Sequence, residues 1–204
     1  MFAGIQLHKI IKKGGLKKMG KVLWFDCETT GLDPYRNGIV QIAALVEIDG
    51  EVTEAINLFL RPGDSDKIDQ KALDIHGYSE SEVRKFPDPE ISMRKFQTFL
   101  SRHVDKFDNT DKFVMAGYFI RFDMDFLRAL FVKLGDRYFG SWFFNVTYDV
   151  QVQVAERILR GFRSPNYKLI TMCQEFGIEI DPHDALSDIK ATRSLDRLLK
   201  GHTY

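Results

Sequence analysis

Apolar positions along this chain repeat with two periods, and the change from one to the other marks out strands and helices. Val22–Cys27 is a nearly continuous apolar run, the pattern of a central strand covered on both faces. Ile39–Ile48 and Glu51–Leu60 are strand-like and flank Asp49-Gly50, a two-residue hairpin signal. From Glu90 to Val104 the apolar residues Ile91, Met93, Phe96, Phe99 and Leu100 recur at helical spacing. Phe113–Tyr118 predicts another buried strand, and Phe122–Leu134 the helix after it. Val146–Asp149 predicts a short strand, with Asp149 able to cap a helix that runs to Leu159. Lys168–Phe176 and Ala185–Leu199 predict two more helices, the first stopped by Gly177. A hairpin-fed sheet whose later strands are separated by helices belongs to the α/β class, in a mixed layer architecture.

The first strand ends oddly. The stretch "KVLWFDCETTGLD" drives an apolar run into two acids, Asp26 and Glu28, whose side chains share one face because strand residues alternate. Burying an unpaired carboxylate costs several kcal/mol or more, so something must offset the charge. A bare Asp-x-Glu pair is ordinarily a helix cap beside an exposed acid, and two further stretches change that reading. In "AGYFIRFDMDFL" a strand turns into a helix at Asp123, which by itself reads as an N-cap. In "PHDALSDIKAT" His183 precedes a helix that carries Asp188 about one turn inside it, beside Ala185, Leu186 and Ile189. Alone, His183 reads as a surface residue or a partner to the cap. Four carboxylates and an imidazole at the edges of apolar elements, if they converge, need cations to offset their repulsion. Oxygen ligands suit hard Mg²⁺ or Mn²⁺, and two such ions about 3.5–4 Å apart form a clamp for phosphodiester displacement.

Composition narrows the surroundings of such a site. The chain has 204 residues and 44% hydrophobic content, enough for one domain with a sizeable core. Neither a membrane-length apolar run nor a secretory signal pattern is present, and the two cysteines, Cys27 and Cys173, lack zinc-ligand spacing. Cys27 alternates with the two acids and is expected in the core. A reduced, cytoplasmic protein is the expectation. Net charge is zero, but residues 1–21 carry six lysines and no acid, which leaves −6 on the remainder. Residues 1–20 therefore read as a basic N-terminal arm ahead of a domain over 21–204. Such an arm is either a plain terminal extension, a phosphate-binding segment or a presequence, the last weakened by its lack of arginine.

Taken in order, Asp26-x-Glu28, Asp123, and His183 ahead of Asp188 resemble the three motifs of the DEDDh family of 3′→5′ exonucleases. That family belongs to the RNase H-like superfamily and includes the proofreading subunits of bacterial DNA polymerases. The likeness covers most of residues 21–199, and "TTGLD", "DIHGYSESEV" and "YKLITMCQEFGI" resemble its secondary segments. Phe119 departs from it, standing where relatives often carry Asn, and Val150 follows Asp149 where Thr is common. The resemblance implies an RNase H-like five-stranded mixed sheet flanked by helices, with the first and fourth strands adjacent.

It further implies that Asp26, Glu28, Asp123 and Asp188 hold two divalent metal ions, Mg²⁺ or Mn²⁺, with His183 as general base. Thr29, Thr30, Gly31 and Leu32 fall where relatives approach the terminal nucleotide, and His76 is a candidate contact to its sugar. The implied partner is a nucleic acid with a 3′ end, DNA favoured over RNA and single-stranded or frayed, with a DNA polymerase as a further partner and no membrane. Arg121, Arg157, Arg160, Arg163 and Lys168 are candidate phosphate contacts or a solvated face, and Phe162 and Tyr167 candidate base platforms or core. An RNA 3′-end processing enzyme is the alternative; relatives of the oligoribonuclease type carry Met-Thr-Gly after the first acids, so Thr29-Thr30-Gly31 argues against it. The complete acid set argues against a non-catalytic binding domain. Removing residues 1–18 should leave folding intact and weaken nucleic-acid binding mainly at low salt, because lysine–phosphate contacts act through counterion release. An unchanged salt slope in a binding titration would make the arm irrelevant to substrate.

Overall fold

The computed structural model describes residues 20–201, so all of the basic arm but Gly20 lies outside the described residues. Strand β1 (Lys21–Thr29) is the centre of a sheet ordered β3-β2-β1-β4-β5, with β2 at Ile39–Ile48, β3 at Glu51–Phe59, β4 at Phe113–Gly117 and β5 at Phe143–Asp149. β1 pairs antiparallel with β2 and parallel with β4; β3 joins antiparallel and β5 parallel. This is the five-stranded mixed sheet expected, with the first and fourth strands adjacent. Asp49 and Gly50 both have positive φ, 54° and 83°, as a tight hairpin turn between twisted strands requires.

Eight helices flank the sheet among the described residues: α1 (Gln70–His76), α2 (Glu80–Val83), α3 (Pro89–Ser101), α4 (Ile120–Lys133), α5 (Phe139–Trp142), α6 (Val150–Leu159), α7 (Leu169–Glu175) and α8 (Ala185–Gly201). Strand alternation sorts the core into two layers. Leu23, Phe25 and Cys27 face α3 and α4, where Phe96, Phe99, Met124, Leu127 and Phe131 are buried with them. Trp24 faces the other way, with Val150 and Val154 of α6, Met172 of α7 and Ala185, Ile189 and Leu195 of α8. Asp26 and Glu28 continue the Trp24 face and so point toward α8. No helix among the described residues is long and apolar enough to cross a membrane.

Several boundaries differ from the sequence reading. α4 starts two residues early because Phe119 takes a left-handed conformation and turns the chain at once into the helix. Asp123 is consequently in the first turn and is not the N-cap. α3 begins at Pro89, whose fixed φ suits a first helical position, after the Asp88 side chain has capped Glu90 N–H. It stops at Ser101, and β5 begins three residues before the expected start. Asp149 caps α6 through Gln151 N–H, as its position predicts. Helices α1, α2 and α5 have seven, four and four residues, too short for periodicity to register.

Truncating Phe99, fully buried between α3 and the sheet, should cost about 3–5 kcal/mol in denaturant unfolding. Phe107→Ala, at a ring 86% exposed, should stay within about 0.5 kcal/mol. Equal effects would mean that the two-layer core is misassigned.

Candidate active site

Three elements deliver acids to the C-terminal end of β1. The β1–β4 pairing runs from Val22 to Trp24 and then stops. At Gly117 a Cβ would come within 2.9 Å of Phe25 O, so only glycine lets β4 pass β1 this closely. The chain then turns through Phe119 into α4, and Asp123 reaches back across the gap. Its Oδ1 accepts Cys27 N–H at 3.2 Å and the Cys27 thiol at 3.4 Å, taking a strand amide that β4 leaves free. This explains why an aspartate in the first turn of a helix is only 4% exposed.

α8 is positioned from the opposite side by a buried polar clamp. Gln41 of β2 lies directly across from Glu28 in the β1–β2 register. Its amide nitrogen donates to Asp184 Oδ2 at 2.9 Å and to Asn57 Oδ1 at 3.0 Å. Its carbonyl oxygen accepts Ala185 N–H at 3.4 Å. Asp184 in turn accepts Ser187 N–H at 2.9 Å, which caps the start of α8. One turn on, Asp188 meets the strand acids: Asp26, Glu28 and Asp188 each place a carboxylate oxygen within 4.8 Å of the others.

The cluster is electrostatically expensive. Burial first, then the charges of Asp123, Glu28, Asp188 and Asp184, holds Asp26 well above the usual carboxylate range. Burial, then Asp188 and Asp123, pushes Glu28 up to about 8. Burial raises Asp123 to about 7 against the hydrogen bonds from Cys27, and Asp188 to about 7 against the His183 amide. One oxygen of Asp188, Oδ1, is buried without a hydrogen-bond partner. Among the described residues no lysine or arginine forms an ion pair with any of the four.

A cleft of about 710 Å³ opens beside Glu28, lined by Thr29, Gly31, Leu32, His76 and Phe122, with Lys71 and Ile75 of α1. Gly31 is required there, since a Cβ would fall 2.3 Å from Asp69 Oδ2. Leu32 stands at the rim, 82% exposed. His76 is buried at the end of α1, and that burial pulls its imidazole pKa down. Thr30 stands apart from the predicted set: fully buried, it donates to Lys67 O and accepts Gly38 N–H, so its hydroxyl closes the loop and does not face the cleft. His183 is exposed on the loop before α8, with φ 68° and its N–H toward Asp188 Oδ2 at 3.4 Å.

The predicted cations have other occupations. Arg121 pairs with Asp125, Arg157 donates to Leu199 O and lies over the Phe176 ring, and Arg163 donates to Ile158 O and Phe162 O. Arg160 and Lys168 close α6 and open α7, and neither lines the cleft. Phe162 and Tyr167 pack against the α6–α8 layer. Gln41, Asp184 and Lys71 are what the sequence reading missed. A glutamine in the apolar first half of β2 was the available signal for the first two, and Lys71 had none once α1 went unread.

Residues 23–195 match a family model described as Exonuclease. The chain is similar to the DNA polymerase III PolC-type proteins of Halalkalibacterium halodurans, 26% identical over 84% of this chain and 11% of that one. The PolC-type protein of Bacillus subtilis is 24% identical over 84% and 11%. The chain thus spans about a tenth of the length of these relatives. Among solved structures, E. coli exonuclease I in complex with a dT13 oligonucleotide superposes with a TM-score of 0.73 at 24% identity, over 89% of this chain and 41% of that one. The zinc-bound E. coli ExoI–ssDNA complex gives 0.76 at 23%, over 91% and 41%. The chain belongs to the DEDDh-type 3′→5′ exonuclease family of the RNase H-like superfamily, in whose motif order its strand and helix acids converge.

Proposed function

We propose that this chain is a 3′→5′ exonuclease that hydrolyses the terminal phosphodiester of single-stranded or frayed DNA and releases nucleoside 5′-monophosphates. The observation that carries the reading is the convergence of Asp26, Glu28 and Asp188 oxygens within 4.8 Å, beside Asp123, with no cation partner among the described residues. That donor set fits a hard divalent ion, Mg²⁺ or Mn²⁺: it is all oxygen, anionic, and includes the buried, unpartnered Oδ1 of Asp188. Asp26, Glu28, Asp123 and Asp188 would hold two such ions, which when bound supply Lewis-acid activation of water and offset charge on the leaving oxygen. His183, exposed on the loop tied to Asp188, accepts the proton of the attacking water, a task suited to imidazole near neutral pH. Thr29, Gly31, Leu32 and His76 seat the terminal nucleotide in the cleft, and Lys71 offers charge to a phosphate at its edge. Single-stranded DNA is favoured because exonuclease I, whose fold this chain shares, is solved with dT13 and dA16 oligonucleotides. The PolC-type relatives make a DNA polymerase the candidate protein partner.

A panel of single-stranded DNA, duplex DNA with mismatched ends, and RNA tests the reading. Degradation of DNA in Mg²⁺ and none in excess chelator is expected, with Asp26→Ala and Asp188→Ala inactive but folded. Preferential turnover of RNA would reassign the chain to RNA processing, and binding without turnover would make it a non-catalytic domain. His183→Ala should lose about 10²–10⁴-fold in kcat with KM roughly held; near-normal turnover would remove His183 from the mechanism.

Stability gives a readout independent of activity. Burial holds Glu28 at about 8 and Asp123 and Asp188 at about 7 in the folded chain, and keeps Asp26 well above its ordinary range, against ordinary values of 3.8 for Asp and 4.5 for Glu. Between those limits the folded state binds more protons than the unfolded one, so the metal-free protein loses stability as pH rises from about 4.5 to 8. Asp26→Asn should flatten that slope and raise the melting temperature at pH 8, and Mg²⁺ should do the same for the unsubstituted protein. A melting temperature indifferent to both pH and Mg²⁺ over this range would contradict the electrostatic picture.

A further inference from the structure

Phe119 has a conformation that disfavours it and an exposure that gains it nothing. Its φ of 63° lies in the left-handed region, where asparagine is tolerated and a bulky aromatic is an outlier. The ring is 55% exposed, and the side chain makes no capping hydrogen bond to α4. The position is nevertheless held firmly. Phe119 N–H donates to Asp149 Oδ1 at 3.0 Å, and the same oxygen accepts Gln151 N–H at 2.9 Å, which ties the turn to the start of α6. The ring lies nearly parallel to that of Phe122, 19° between planes and 6.3 Å between centroids. Phe122 is itself a wall of the cleft beside Glu28 and Leu32. An aromatic surface therefore runs from the cleft wall out into solvent, fixed at both ends.

We infer that Phe119 is a specificity-determining residue, its exposed ring serving as a stacking platform for an unpaired base of the substrate strand. A base within a duplex already has both faces covered, whereas an unpaired base has a face to offer, and aromatic stacking of this kind is indifferent to sequence. The site would thereby favour single-stranded or frayed 3′ ends. The inference rests on the exonuclease reading above, and it adds the residue that selects unpaired strands.

The full chain, Phe119→Asn and Phe119→Trp are compared in Mg²⁺ on a dT oligonucleotide, on versions with a single abasic site near the 3′ end, and on a blunt duplex. Phe119→Asn should melt at higher temperature, since asparagine accepts the left-handed backbone. Its KM on the single strand should nonetheless rise about tenfold, the scale of one lost base–aromatic contact, with the loss in KM and not in kcat. Phe119→Trp should keep the parental KM. One abasic position should raise the parental KM toward that of Phe119→Asn while leaving the variant unaffected. An unchanged KM for Phe119→Asn on the single strand, or an equal loss on duplex, overturns the inference while the exonuclease reading stands. A folded parental chain that degrades no DNA in Mg²⁺ overturns that reading and the inference with it.

Discussion

Mutual repulsion among carboxylates at one strand end is the constraint around which this structure is arranged. Four acids that would spread apart in water are held together in a largely buried place, and each is pinned by something other than an opposite charge. Asp26 and Glu28 cannot separate because they are carried two residues apart on the central strand, paired on both sides at its start. Asp123 is fixed by Cys27 N–H, and Asp188 by a helix whose start is clamped through Asp184 to Gln41. The two core layers supply the stability that this arrangement spends, with Phe25, Phe96 and Phe99 on one side and Trp24, Ile189 and Leu195 on the other. Strain stored in this way is relieved by any ligand that binds the folded state and brings positive charge.

The sequence made the acids legible before the fold, for a physical reason. An apolar strand that ends in two acids violates the ordinary burial rule, and the violation is visible in a single line of residues. Long elements were legible too, because β2, α4 and α8 each repeat their pattern over ten or more residues. What stayed hidden is what depends on partners distant in sequence. The role of Asp184 appears only when Gln41, 143 positions away, is seen to bind it. The cleft wall formed by α1 was missed because seven residues give barely two turns of pattern. Phe119 showed as a departure from the motif, but its cost was invisible without its backbone angle.

That angle has a counterpart. Among the described residues three non-glycine positions have positive φ: Asp49 in the hairpin, Phe119 before α4 and His183 before α8. The last two precede the two helices that deliver acids. A left-handed residue reverses the chain within a single position, so each helix can begin at the edge of β1 and present its first turn there. The acid in that first turn then comes within reach of a backbone amide outside its own helix or at its entrance, Cys27 N–H for Asp123 and His183 N–H for Asp188. Those amides work against the rise in pKa that burial imposes on both acids. Among the described residues the strand acids have no such donor, and burial followed by the charges of the neighbouring acids holds both Glu28 and Asp26 above the usual range. The strained turns therefore place two of the four charges where the backbone can partly offset them, and leave the strand-borne pair, Asp26 and Glu28, to be offset by an arriving cation.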